Sequence, residues 1–474
     1  MLISRKRQLN VKRIIFCLLP NLISGYIVFI LLNYRLFPDK YLYITIAVIV
    51  VANLLSIFLL LFCKKKALHG VGYFFSIMIL VISMVGSFLL TSAVNTLSKI
   101  SNGNKNTIII SVVVLKDSNI YLAQQLSGLS VSAVSSLNTQ YVDDISKDLK
   151  LKDVAYAGSY TNLIDELYKK SSEVILFNES YRDLVKSENE DFDTDTRIIK
   201  QYSYDVADEA TSLVDGSKPF NLYISGIDTY GPITTASLSD VNIVATINPI
   251  TKKILLTTIP RDSYVPIALG GNNQYDKLTH AGIYGIESSI ITVENILGID
   301  LGAYIRVNFN SLINMVDILG GIEVDNPVAF NSGGKFFSSG IIVLDGEAAL
   351  VYSRERKSLA NGDNDRGVNQ ERVIIALFDK VIQPSTLVNY QGILGVIGDS
   401  MQTNLSTTAI TEMINMQLDS KSKSKWKIEM TNVSGKPAMG LSSYAMPDSY
   451  LYFTKLDDQS IIKAKDKINS IISE

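Results

Sequence analysis

Carboxylates and arginines gather at the ends of three short apolar runs in the middle of the chain. Phe220 to Asp228 closes on Asp228, Ser239 to Pro249 opens on Ser239-Asp240, and Ile254 to Asp262 closes on Arg261-Asp262. Further on, Tyr352-Ser353-Arg354-Glu355-Arg356 and Asp363-Asn364-Asp365-Arg366-Gly367-Val368-Asn369-Gln370 add more arginines and a second polar cluster. Hard oxygen ligands beside guanidinium forks suit a hard cation and a phosphate. The same residues have ordinary uses. By residue type alone, turn capping is the commoner job for Asp228 and Asp240. Arg354 and Arg356 flank Glu355 as a surface ion pair would, Arg261-Asp262 is a plausible local pair, and Arg366 has Asp363 and Asp365 beside it.

These residues need elements to hold them. The three runs are rich in β-branched residues and bounded by turn formers, so they predict strands of a buried sheet. Helical apolar spacing follows over Ser288–Leu297, Ser311–Leu319, Leu344–Tyr352 and Gln370–Ile382, with a strand at Tyr304–Asn308. Strands alternating with helices predict a sheet covered on both faces. Arg354 and Arg356, read as part of an extended piece, point to one face. Upstream, Thr107–Leu115 and Glu173–Phe177 read as strands, and residues 107 to 215 as a small α/β accessory domain. The charged passage Lys186–Asp195 reads as a loop, and Asp143, Asp144 and Asp148 as a solvated face.

At 474 residues the chain has room for two or three domains. Its mean hydropathy of +0.21 is high for a soluble protein, and the excess is local. Ile14–Leu32, Tyr41–Cys63 and Val71–Val94 are each long and apolar enough to cross a bilayer as a helix. Arg5, Lys6, Arg7, Lys12 and Arg13 precede the first run, and Lys64, Lys65 and Lys66 separate the second from the third. The positive-inside rule then predicts a cytoplasmic N-terminus, with everything after Val94 outside. The expected organisation is a basic tail (1–13), three membrane helices (14–94), a linker (95–106), the accessory domain (107–215) and a large α/β domain (219–474).

Net charge of −2 says little about partners. The two cysteines, Cys17 and Cys63, lie in or beside the membrane runs, so thiol chemistry is excluded from the outer region. His69 and His280 are the only histidines, too few for an ordinary zinc site. The basic tail reads as a topology signal facing anionic lipid headgroups, so nucleic acid is not an expected partner.

Taken together, Gly226-Ile227-Asp228, Ser239-Asp240, Ile259-Pro260-Arg261-Asp262, Arg354-Glu355-Arg356 and Asp365 to Gln370 resemble the LytR-CpsA-Psr family of Gram-positive cell-envelope proteins. Three spans followed by an accessory domain, and the late run Met446-Pro447-Asp448-Ser449-Tyr450, resemble its capsule branch. The resemblance implies an α-β-α catalytic domain outside the membrane. It implies a phosphotransferase that moves a capsular or other glycopolymer from a polyprenyl pyrophosphate carrier to a peptidoglycan sugar hydroxyl. Leu238 departs from the pattern, standing where the family often carries arginine.

Such chemistry spreads negative charge over the transferred group, and positive charge and alignment must meet it. Asp228 and Asp240 are then the expected ligands of magnesium, with manganese as the alternative. Arg261, Arg354, Arg356, Arg366 and Gln370 are expected on the pyrophosphate, and Asp262, ahead of Asp365, is the candidate general base. Val293, Ile296, Leu297, Leu312, Ile313, Val316, Leu350 and Leu377 could line a lipid pocket, although apolar residues at helical spacing are ordinarily core. Hydrolysis of the pyrophosphate and a membrane sensor or regulator of capsule expression stay open as other functions.

Overall fold

The computed structural model describes residues 2–35, 39–101, 105–207, 214–227, 233–360, 362–383, 386, 401–419 and 426–474. They fall into two compact units. The first comprises Met1–Ser101, Val214–Lys218 and Leu405–Lys425, and the second Asn102–Leu213, Pro219–Asn404 and Trp426–Glu474.

In the first unit, helices α1 (Leu2–Tyr34), α2 (Asp39–Ile57) and α3 (Lys66–Ser101) carry the three apolar runs, and each is long and apolar enough to cross a membrane. A turn of π-helix, Phe58–Phe62, extends the second. Apolar surface cannot favour helix contacts within lipid, so polar bonds and close packing hold such helices together. Ser24 Oγ lies 3.0 Å from Ser83 Oγ and accepts from Asn53 Nδ2 at 3.1 Å, which ties all three helices at one level. The helix Thr407–Asp419 belongs to the same unit, where Asn415 Nδ2 donates to the Arg35 carbonyl at 2.7 Å.

Two sheets of more than two strands organise the second unit, beside four two-stranded ribbons among the described residues. The smaller has β1 (Lys105–Leu115), β2 (Ser130–Val134), β3 (Asp153–Ala157), β4 (Ile175–Asn178) and β5 (Thr196–Ala207) in the order β3-β2-β4-β1-β5. Strand β2 runs parallel to β3 and β4, while β1 is antiparallel to β4 and β5. Helix α4 (Thr139–Leu149) starts at the N-cap Asn138 and buries Val142, Ile145 and Leu149, the i, i+3, i+7 stripe of its sequence. Helix α5 (Tyr160–Tyr168) starts at Ser159 and buries Leu163, Ile164 and Leu167. The stretch read as a loop at 186–195 instead carries two short helices, Arg182–Glu188 and Phe192–Asp195. Their charges pair locally, Arg182 with Glu179 and Asp193, while Phe192 is buried. The expected linker at 95–106 is largely taken up by the end of α3 and the start of β1.

The larger sheet has β6 (Phe220–Ile227), β7 (Ser239–Asn248), β8 (Lys253–Thr258), β9 (Ala303–Val307), β10 (Met401–Thr403) and β11 (Lys427–Asn432) in the order β10-β9-β6-β7-β8-β11. On one face Tyr223, Val244 and Leu255 pack against α6 (Ile286–Leu297) and α10 (Asp458–Ser473). On the other lie α7 (Phe309–Ile318), α8 (Gly346–Arg354) and α9 (Asp363–Val381). Each fully buried large apolar side chain in these layers contributes about 1.5–3 kcal/mol. Val293 and Leu297 fall in the α6 core and Val316 in a third cluster with Tyr352.

The core of the smaller sheet is completed by residues from later in the chain. Ile283, Ala445 and Met446, all from the second half of the chain, are buried among the side chains of the smaller sheet, and Leu238 packs against them. Asp276 locks this junction. It is 0% exposed, pairs with His280 Nδ1 at 2.7 Å, and accepts from Ser443 Oγ and the Ala445 N–H at 2.7 Å each. Burial pushes its carboxyl up, but the charge and hydrogen bond of His280 and the donors of Ala445 and Ser443 outweigh that and hold it below the usual range. Its stabilisation is therefore full above the ordinary aspartate range and lost as pH falls through the depressed value. Asp276→Ala, which strands all these donors, is expected to cost about 3–5 kcal/mol, read as a lowered thermal midpoint of the purified chain.

Candidate functional site

A β-bulge sets the central carboxylate. Gly226 pairs with Val241 and Ile227 with Ser239, so Asp240 is an extra residue in β7 without a ladder partner. Regular alternation would send Asp240 and Val241 to opposite faces, yet both line the same cavity. The opposing strand has to be bare here, since a Cβ on Gly226 would lie 2.6 Å from Val241 Cγ2.

Arg261 reaches Asp240 from the turn after β8. Its Nη1 donates to Asp240 Oδ2 at 2.7 Å, and Thr279 Oγ1 donates to Asp240 Oδ1 at 3.1 Å. The Thr279 N–H returns to the Arg261 carbonyl at 2.9 Å, which fixes the turn from both sides. Burial raises the Asp240 carboxyl, but the charges of Arg261 and Arg366 and the hydrogen bonds from Arg261 and Thr279 bring it below its ordinary value. Asp240 is thus held ionised. Its two oxygens keep lone pairs beyond these bonds, as a cation ligand requires.

The cavity encloses about 440 Å³ between the sheet and α7, α8 and α9. Its walls are apolar, with Ile224, Val241 and Ile305 from the sheet and Leu312, Leu350 and Leu377 among those from the helices. Asp240, Arg261, Arg354, Arg356, Arg366 and Gln370 are all in the lining, and Asp240, Arg261, Arg366 and Gln370 also border one adjoining pocket. Arg366 and Gln370 sit one helical turn apart on α9 and are 7% and 9% exposed. Arg354 lies at the end of α8, its guanidinium 4.3 Å from the centre of the Phe309 ring. The expectation that Arg354 and Arg356 share the face of a strand is corrected: the helix runs to Arg354, and Glu355 is its extended C-cap.

The structure therefore brings six of the expected site residues together and separates others. Asp228 lies outside the described residues. Asp262 does not line the cavity; it is 6% exposed and binds Lys277 Nζ at 2.9 Å, with Arg261 Nε at 3.8 Å. Asp365, on the first turn of α9, does not line it either. Of the eight candidate lipid-pocket residues, Leu312, Leu350 and Leu377 are in the lining.

Glu371 is a residue that the sequence reading missed. With Asp240, Arg261 and Arg366 it lines a narrow adjoining pocket of about 20 Å³. It is 2% exposed, and Thr258 Oγ1 donates to its Oε1 at 2.7 Å. Burial pushes its carboxyl up to about 7 against the opposing hydrogen bond of Thr258 and the charge of Arg372. Gly367, one turn earlier, meets the same threonine, since a Cβ there would lie 2.9 Å from Thr258 Cγ2. The available signal was the i, i+4 spacing of Gly367 and Glu371 on the helix face that meets β8.

An apolar cavity lined also by four arginines and one ionised carboxylate has the chemistry to receive an amphiphile with an anionic head. A family model described as the LytR_cpsA_psr family matches residues 179–467, and the chain belongs to that family. Among its relatives is the polyisoprenyl-teichoic acid–peptidoglycan teichoic acid transferase TagU of Enterococcus faecalis, 35% identical over 261 residues, covering 54% of this chain and 81% of that protein. The TagU of Bacillus anthracis is 33% identical over 239 residues, covering 50% and 77%. Among solved structures, that of B. subtilis TagV is 27% identical, with a TM-score of 0.46, over 54% of this chain and 98% of that one.

Proposed function

We propose that the chain is a membrane-anchored glycopolymer transferase, which takes its polymer from a polyprenyl pyrophosphate carrier and joins it to a peptidoglycan sugar through a phosphodiester. The observation that carries this reading is the cavity itself. Its hydrocarbon walls suit a polyprenyl tail, and Arg261, Arg354, Arg356 and Arg366 suit the pyrophosphate. The relatives' printed activity, transfer of teichoic acid to peptidoglycan, supports the reaction class. A capsular polysaccharide as donor rests on the resemblance of the capsule branch. The basic residues in the first turns of α1, ahead of its apolar run, and those between the second and third apolar runs favour a cytoplasmic N-terminus and an outer catalytic region.

In the reaction the acceptor hydroxyl oxygen bonds the phosphorus that carries the polymer, and the bridging oxygen leaves with polyprenyl phosphate. The arginines align the pyrophosphate and take up the charge that develops on it. Asp240, ionised and held by Arg261, is too weak a base to remove the hydroxyl proton and fits the role of cation ligand instead. Among the described residues no group of three possible metal ligands exists. One carboxylate with substrate oxygens and water nevertheless matches the habit of magnesium. Asp240, with Asp228, would hold magnesium or manganese, which supplies further charge neutralisation when bound.

The test is incubation of the purified full chain with lipid-linked oligosaccharide, a peptidoglycan glycan fragment and magnesium, read by mass spectrometry beside Asp240→Ala. A sugar-phosphate-glycan adduct absent from the variant is the expected outcome. Free sugar phosphate or polyprenyl phosphate without adduct would make the protein a hydrolase. Lipid binding without turnover would make it a sensor.

A further inference from the structure

A second cavity, of about 600 Å³, opens between the smaller sheet and the larger domain. It lies at the C-terminal ends of the parallel strands β2, β3 and β4. The segments after them, Ser135 to Asn138, Gly158 to Tyr160, and Asn178 with Tyr181, form one wall. The chain leaves β2 toward β3 on one side and returns to β4 on the other, so the crevice sits at a topological switch point. That is the habitual ligand position in open α/β sheets. The opposite wall comes from the larger domain and includes Asn272, Tyr284 and Tyr444.

The lining chemistry narrows the ligand. Tyrosines, serines and asparagines alternate with small apolar patches, and no charged side chain lines the cavity among the described residues. Burial pushes the Tyr181 hydroxyl up to about 12 and raises those of Tyr160 and Tyr284, so all three stay protonated. An anion finds no counter-charge here. Helices α4 and α5 do begin at this wall, but their own caps use donors of the first turn: Asn138 accepts from the Gln140 N–H, and Ser159 from the Asn162 N–H. Neutral hydroxyl and amide groups beside aromatic faces match a sugar ring, with its rim of hydroxyls and its apolar C–H faces.

We propose that this cavity is a binding site for an uncharged stretch of glycan, separate from the arginine-lined cavity. It also gives a role to the Met446–Tyr450 run singled out in the sequence. Asp448 accepts from Ser159 Oγ at 2.9 Å, and just before the run Asn272 Nδ2 donates to the Tyr444 hydroxyl at 2.7 Å, so residues 444 to 448 bond to both walls. The short 3₁₀ stretch Leu278–Tyr284 joins the sites, since Thr279 binds Asp240 and Tyr284 lines the glycan cavity. Two sources would present this chemistry, the donor polysaccharide and the wall glycan.

The full chain in detergent is titrated with an N-acetylglucosamine tetramer, representing wall glycan, and with neutral oligosaccharide released from the host cell's own surface polysaccharide. Saturation-transfer NMR reads binding, so the site is tested without turnover and fails separately from the transferase reading. Binding of either probe, or both, weakened about ten-fold by Tyr444→Ala and by Ser136→Trp, is the expected result. Whichever probe binds more tightly names the source. Ser136 is exposed, so its replacement fills the cavity without disturbing a core. Absence of binding by both probes at millimolar concentration, equal binding by both variants and wild type, or preferential uptake of inorganic pyrophosphate at this cavity would overturn the proposal.

Discussion

Arg261→Ala is expected to lower polymer transfer by about 10²–10³-fold, the usual loss when one charge-stabilising donor is removed from a reacting centre. Arg261 has two tasks that alanine abandons together. It lines the cavity where the pyrophosphate is proposed to sit, and it holds Asp240 at 2.7 Å. Without it the carboxyl loses the foremost of the charges opposing the effect of burial, so its pKa rises. Because Asp240 has to be ionised to hold a cation, the acid limb of the rate profile should move to higher pH in the variant. Arg261→Lys restores a charge but not the planar fork, and should recover the acid limb more fully than the rate. Asp240→Ala with Arg261→Ala should cost little more than either change alone, since the two side chains act as a unit. Initial rates of adduct formation across pH, for the single and double variants, make the comparison. An acid limb that stays in place in Arg261→Ala would show that Asp240 does not depend on Arg261.

Much of the scaffold around this pair was legible, because it rests on local patterns. The first two apolar runs became β6 and β7 almost within their expected limits, the third became β8 but stops at Thr258 and leaves Arg261 and Asp262 to the turn, and the helical spacing at 288–297 became α6 with Gly298 as its left-handed cap. What escaped depends on two segments at once. The bulge that turns Asp240 toward the cavity is a property of the β6–β7 register, and neither strand carries it alone. Polar residues at 363–370 read as a cluster before a helix, yet they form its first turns, because there α9 faces the site instead of a core. Periodicity likewise reported that α6 and α7 have apolar faces but not what each face meets. Thus Val293 joined a core while Leu312 joined the cavity wall. Glu371 went unremarked for the same reason, since its partner Thr258 lies on a strand more than a hundred residues away in sequence.

At pH 8 Glu371→Gln is expected to make the chain more stable than the wild type, by up to roughly 3 kcal/mol. The wild-type carboxyl titrates near 7 in the fold against an ordinary 4.5, so between these values the folded chain keeps a proton that the unfolded chain has released. The stability this group contributes is therefore full below about 4.5, falls as pH rises toward 7, and is flat beyond. Glutamine retains an oxygen to accept from Thr258 and cannot ionise, so the variant should hold its thermal midpoint across the same range. Parallel wild-type and variant profiles from pH 5 to 8 would rule this out. The neutral state also bears on chemistry. Glu371 shares the narrow pocket with Asp240, Arg261 and Arg366, and once ionised it competes with the pyrophosphate for the same guanidinium charge. Wild-type transfer should accordingly decline as pH rises through about 7, and Glu371→Gln should remove that decline while leaving the rate at pH 6 within a few-fold.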